Sequence, residues 1–167
     1  MKIKIVVPPL LPAPSIIRKA YQHFALTLPY GAGCLAAFLK DHGHEARIED
    51  LSLRTGEFKD LLLSLDSAAM HEKMADYLIR GKSDARLDSL AAKFAGYVWD
   101  DKYDLLGFSV LSRAGLACAL LAAKKVKEKT SVPVVFGGTW ITYAALRLSE
   151  KTLDFFSKKI IFAKKSK

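Results

Sequence analysis

Residues 104–112, Asp104-Leu105-Leu106-Gly107-Phe108-Ser109-Val110-Leu111-Ser112, and residues 132–139, Val132-Pro133-Val134-Val135-Phe136-Gly137-Gly138-Thr139, decide how this chain folds. Each is an apolar run of strand length that ends in small residues, and residues 114–129 between them read as one helix. A strand, a helix and a second strand in that order make a parallel pair joined by a right-handed crossover. In an open parallel α/β sheet the carboxyl ends of the strands form the rim where a ligand binds. Small residues there let backbone approach the ligand closely.

Outward from this pair the same alternation continues. Residues 3–7 are a short β-branched run stopped by Pro8-Pro9, which cannot continue a ladder, so the first strand ends near Val7. Residues 10–28, broken by Pro12 and Pro14, read as an extended loop. Pro29 then fits the first turn of a helix carrying Ala32, Leu35, Ala36, Phe38 and Leu39 at helical spacing, and Gly43 stops it. Residues 45–51 alternate as a second strand, and residues 57–99 hold two helical stripes where one crossover would suffice. A helix over 141–149 and a short fifth strand at 160–162 complete the pattern. Strands alternating with helices predict a flavodoxin-like (Rossmann-like) three-layer α/β fold with a five-stranded parallel sheet in the order 2-1-3-4-5. In that order a crevice opens at the carboxyl ends of strands one and three. The loops at residues 8–15, 109–113 and 137–140 border it.

At 167 residues the chain is long enough for one domain with a real core, because folding at this size hides about 70% of the extended chain's surface. The expected division is residues 1–150 as that domain and residues 151–167 as a Lys-rich segment. The formal net charge is +9, but residues 151–167 carry six Lys and one Asp, so +5 of it sits there and +4 on the rest. A nearly balanced body with a basic ending reads as a solvated tail and argues against nucleic acid as a partner. Cys34 and Cys118 lie far apart in helical patterns and read as two reduced, buried thiols of a cytoplasmic protein. The first apolar run is too short for a signal peptide or a membrane span. No G-x-G-x-x-G follows strand one, which argues against a dinucleotide role. No carboxylate pair or His-and-nucleophile set falls on the predicted rim, so the chain is not expected to be catalytic alone.

Ser109-x-Leu111 after strand three and Gly137-Gly138 after strand four resemble two parts of the signature of cobalamin-binding domains. The third part, a D-x-H-x-x-G loop after strand one, is missing, because Pro8-Pro9-Leu10-Leu11-Pro12 stands there and the first His is His23. That departure is similar to the amino-terminal B12-binding domain of B12-dependent radical SAM proteins. Those begin with a strand and Pro-Pro and continue with Pro-x-Gly-x-x-x-L-A-A-x-L and Gly-His-Glu. Pro29-Tyr30-Gly31-Ala32-Gly33-Cys34-Leu35-Ala36-Ala37-Phe38-Leu39 and Gly43-His44-Glu45 match both.

The resemblance spans residues 1–150 and implies a module that holds a corrinoid at the carboxyl rim, its nucleotide tail in the crevice. Pro8, Pro9, Leu10, Ser109, Val110, Leu111, Ser112, Gly137, Gly138, Thr139 and Trp140 would contact it. Ser109, Ser112 and Thr139 would be the hydroxyl donors, and Tyr30 and Trp140 rim aromatics. With no His after strand one, no imidazole of this chain would ligate the cobalt; His42 and His44 read as cap and turn residues. The C-x-x-x-C-x-x-C triplet that holds a [4Fe-4S] cluster in radical SAM domains does not occur here. A radical SAM or methyl-transfer enzyme domain would therefore be supplied by another chain or lost; the expected alternatives are a stand-alone binding subunit, a decayed copy or, as the Lys-rich ending suggests, a truncated gene product. The alternative is a flavodoxin-like interaction or regulatory domain that uses its rim for a protein partner and binds no cofactor.

Overall fold

The structure, a computed structural model, describes residues 1–9, 29–58 and 67–147. In chain order they form β1 (Lys2–Val7), α1 (Tyr30–Asp41), β2 (Glu45–Asp50), a kinked 3-10 segment (Leu51–Phe58), α2 (Ala68–Leu78) and α3 (Ala85–Val98). There follow β3 (Leu105–Ser109), α4 (Arg113–Lys129), β4 (Val134–Gly137) and α5 (Thr139–Ala145). The four strands are parallel and lie in the order β2-β1-β3-β4. This α/β arrangement, a parallel sheet with five helices among the described residues, is compatible with a Rossmann-like fold. The strand expected at 160–162 and the loop expected at 10–28 lie outside the described residues.

Helix boundaries follow from identifiable caps. Ser112 accepts a hydrogen bond from the Gly115 amide at 3.0 Å and opens α4, while Lys127 and Lys129 in its last turn suit the negative end of the helix dipole. Asp84 and Ser67 cap α3 and α2 in the same way, accepting from Leu87 N at 2.9 Å and Met70 N at 3.2 Å. Helix α1 begins directly after Pro29 and ends at His42, with Gly43 at φ +79 just beyond, the left-handed stop that a glycine there supplies. Helix α5 starts two residues earlier than the expected 141, immediately behind Gly138.

Period-2 alternation divides β1 and β3 between two cores. Val6, Leu106, Phe108 and Val110 point to the face covered by α2, α3 and α4, and join Leu87, Phe94, Leu121 and Val126 in the larger core. Met70 and Met74 belong to that core, as core-filling residues. Ile3, Ile5 and Val7 point to the other face and meet Ala32 and Ala36 of α1. Lys4 also points to the larger core and is only 6% exposed. Its ammonium donates to the Tyr97 carbonyl at 3.2 Å, lies 3.8 Å from Glu49 and sits 5.6 Å from the Tyr103 ring centre. Burial pushes its pKa down and the Glu49 charge opposes that shift.

One expectation about the thiols is corrected. Cys118 is buried on the inner stripe of α4, where burial pushes its thiol pKa up, but Cys34 is exposed because it falls on the outer side of α1, between the inward-facing Ala32 and Ala36. Alternating small and large residues in that helix do not by themselves say which face turns inward.

Candidate functional site

Helix α1 packs on β2 and β1, and beyond it the β3–β4 half of the same sheet face opens into a groove of about 540 Å³. This lies within the usual range for a small-molecule site. The floor is set by residues whose side chains are small or absent. Gly107, Ser109 and Gly137 share one face through the pairs Ile5↔Gly107, Gly107↔Val135 and Ser109↔Gly137. A Cβ built at Gly137 would meet nothing within 4 Å, and one at Gly107 only the Lys4 carbonyl at 3.8 Å. Side chains at these two positions would stand in the groove rather than in protein. From Leu105 at its lower end to Ser109 at the rim the groove follows β3 for about 13 Å, at roughly 3.3 Å per residue.

Five of the expected contact residues line this groove: Ser109, Leu111, Gly137, Gly138 and Thr139. The opposite wall at the rim is Pro29, Tyr30 and Gly31, so the turn that opens α1 faces the ends of β3 and β4. Among the described residues no lining side chain is charged, and only Tyr30, Ser109 and Thr139 carry a polar side-chain atom. Tyr30 is 84% exposed and stands at the mouth, whereas Ser109 is half-buried on the wall.

The other expected contact residues do not line the groove. Val110 is fully buried in the larger core. The Ser112 hydroxyl caps α4 and is thereby engaged. Pro8 and Pro9 are buried against the first turn of α4, where a Cβ at Gly115 would meet the Pro8 ring at 3.5 Å. Trp140 is half-buried against the larger core and stacks on Tyr143, with ring centres 5.8 Å apart. Leu10 lies outside the described residues. For Val110 the reason is alternation: a residue one place along from Ser109 points through the sheet to the other face, while Ser112 and Trp140 belong to the helices that follow the strands.

Gly138 has a role that ligand access does not explain. At φ +97 its position would bring a Cβ within 2.5 Å of the Val110 carbonyl oxygen. Val110 N donates to Gly137 O at 2.8 Å and Trp140 N donates to Val110 O at 3.2 Å. The backbone of β4 therefore crosses the end of β3 with no room for a side chain, and this closure shapes the rim.

Away from the groove, His42 pairs its Nδ1 with the Phe38 carbonyl at 2.8 Å, and His44 sits in the turn behind it, at the amino-terminal rim of β2. Asp50, at the opposite end of β2, accepts from both the amide and the hydroxyl of Ser52 and opens the 3-10 segment. Among the described residues no group of three or more His, Cys, Asp or Glu is placed to hold a metal ion, and no helix is long and apolar enough to cross a membrane. Reading for rim residues alone overlooked the groove's lower walls, Ile3, Ile5, Leu35, Leu39, Leu105 and Val135. The available signal was Gly107, an isolated glycine within an apolar strand, which marks a place where something must approach the backbone.

Fold and groove together define a parallel-sheet α/β domain with an apolar, ligand-sized slot at the carboxyl rim. No protein-family model, curated protein or solved structure matches the chain.

Proposed function

We propose that this domain binds a corrinoid, with the nucleotide tail lying in the groove and the ring across the rim. One observation carries the reading. The two separated sequence elements that resemble B12-binding domains, Pro29 to Gly31 on one side and Ser109, Leu111, Gly137 and Gly138 on the other, form facing walls of the same groove. The space left by Gly107 and Gly137 fits a flat apolar group, and the Ser109 hydroxyl is in place to pair with one polar atom on it. When bound, the cobalt supplies methyl-transfer or radical-associated chemistry; the role of this chain is to hold and orient the cofactor for an enzyme domain elsewhere. In this reading residues 160–162 add a fifth strand beside β4 and complete the order 2-1-3-4-5. Hydroxocobalamin added to the purified protein should co-elute with it on gel filtration with an altered absorption spectrum. Elution of all the cobalamin as free compound rejects the proposal.

A second reading, a flavodoxin-like interaction domain without cofactor, is favoured by the exposure of Leu35, Leu111 and Val135, which line the groove. It predicts that saturating cobalamin leaves the thermal midpoint unchanged, whereas a bound cofactor raises it by mass action.

A further inference from the structure

We infer that the groove discriminates between corrinoids by their lower base, accepting an apolar base such as dimethylbenzimidazole and rejecting a purine such as adenine. The inference rests on the corrinoid reading above and assigns to the lower groove a selectivity that reading does not contain. Below the rim the walls are Ile3, Ile5, Leu35, Leu39, Leu105 and Val135, all without polar side-chain atoms. The backbone of β3, at the centre of the floor, is committed to the β1–β3 and β3–β4 ladders on its two sides, so it has no spare donor or acceptor to offer there. Among the described lining residues Ser109 is the single half-buried hydroxyl; Thr139 and Tyr30 are exposed at the mouth and would meet the sugar and phosphate instead.

Dimethylbenzimidazole presents methyl groups and carbon edges that such walls cover without loss. Adenine presents an exocyclic amine and several ring nitrogens, of which one hydroxyl can satisfy at most a part. Each polar group left dry and unpaired lowers affinity, and sites reject most strongly the analogue whose polar atoms they leave without partners. Tail burial also implies that cobinamide, which lacks the base and its sugar, loses most of the contact area.

The test is equilibrium dialysis of the full chain against three probes: hydroxocobalamin, its adeninyl counterpart and diaquocobinamide. Hydroxocobalamin should bind at least tenfold more tightly than either of the others, and Val135→Asn, which places an amide in the wall at a half-exposed position, should narrow the gap between the benzimidazole and adenine forms. Equal binding of all three, or tighter binding of the adeninyl form, overturns the selectivity while leaving the corrinoid reading intact. No binding of any probe removes both. A Val135→Asn protein that keeps the native fold and the same ratio between the two bases also overturns the inference, because the wall would then have no part in the choice.

Discussion

The two faces of this sheet are finished differently although the same strands build both. On one face Leu106, Phe108 and Val110 are sealed beneath three helices; on the other Val135, from the strand paired with β3, is 51% exposed and glycine takes the place of a side chain at Gly107. Adjacent residues of one strand thus answer to different demands. Those pointing to the helices are chosen for volume, and their neighbours for the space they leave.

The largest expected effect tests the sealed face. Phe94→Ala removes a fully buried ring that stacks on Phe58 with centres 4.7 Å apart, and should lower unfolding free energy by about 3–5 kcal/mol in urea titration. Val135→Ala on the open face should move it by less than about 0.5 kcal/mol. Equal losses would mean that the open face is covered in solution, and the contrast would fail.

Gly138 and Gly137 sharpen the comparison at neighbouring positions. Gly138→Ala forces a Cβ against the Val110 backbone at a left-handed φ and should cost about 3 kcal/mol. Gly137→Ala meets open space and should leave the urea midpoint nearly unchanged while weakening cobalamin binding. A native-like midpoint for Gly138→Ala would show that the strand crossing can relax.

The thiols offer a probe that needs no substitution. Cys34 should react with a disulfide reagent in the native protein, and Cys118, buried and with its thiolate disfavoured, only as the protein unfolds. Two equally fast thiols would place α4 differently from the structure.

The smallest effect concerns charge on the outside of the sealed face. Asp88 pairs with Lys125 at 2.6 Å and accepts from the Tyr77 hydroxyl at 2.8 Å, and these partners hold its carboxyl below the usual range. A lowered folded-state pKa adds stability above the unfolded-state value and loses it as pH falls through the folded one. Stability should therefore decline as acid protonates Asp88, and Asp88→Asn should flatten that part of the profile. An unchanged acid limb would show that the Lys125 pair is screened by solvent.

Much of the architecture was readable because it depends on local pattern. The β-branched run before Pro8, the apolar stripe of α4 and the stop at Gly43 each announce an element, and parallel crossovers restrict how those elements join. The site was readable only in part. Ser109, Leu111, Gly137, Gly138 and Thr139 could be placed at strand ends, but whether Pro8, Ser112 or Trp140 would share their side depended on which way each strand end turned. Among the described residues, how much of the sheet face is covered depends on how far α1 reaches across it, a tertiary property that no short window of sequence encodes. The inward turn of Lys4 was equally hidden, since in an alternating Lys-Ile strand either set could face the larger core.

That buried ammonium also fits one strand offset far better than the next. If β1 slid by one residue against its neighbours, Ile5 would occupy the place of Lys4, and the charge would lose Glu49 and the Tyr97 carbonyl for a surface lined by Ile and Ala. Stranding a cation there costs several kcal/mol, so mispaired sheets are penalised far more than a wholly aliphatic strand would allow. A strand of plain hydrocarbon would have held the layers together as well, but it would have tolerated the wrong offset.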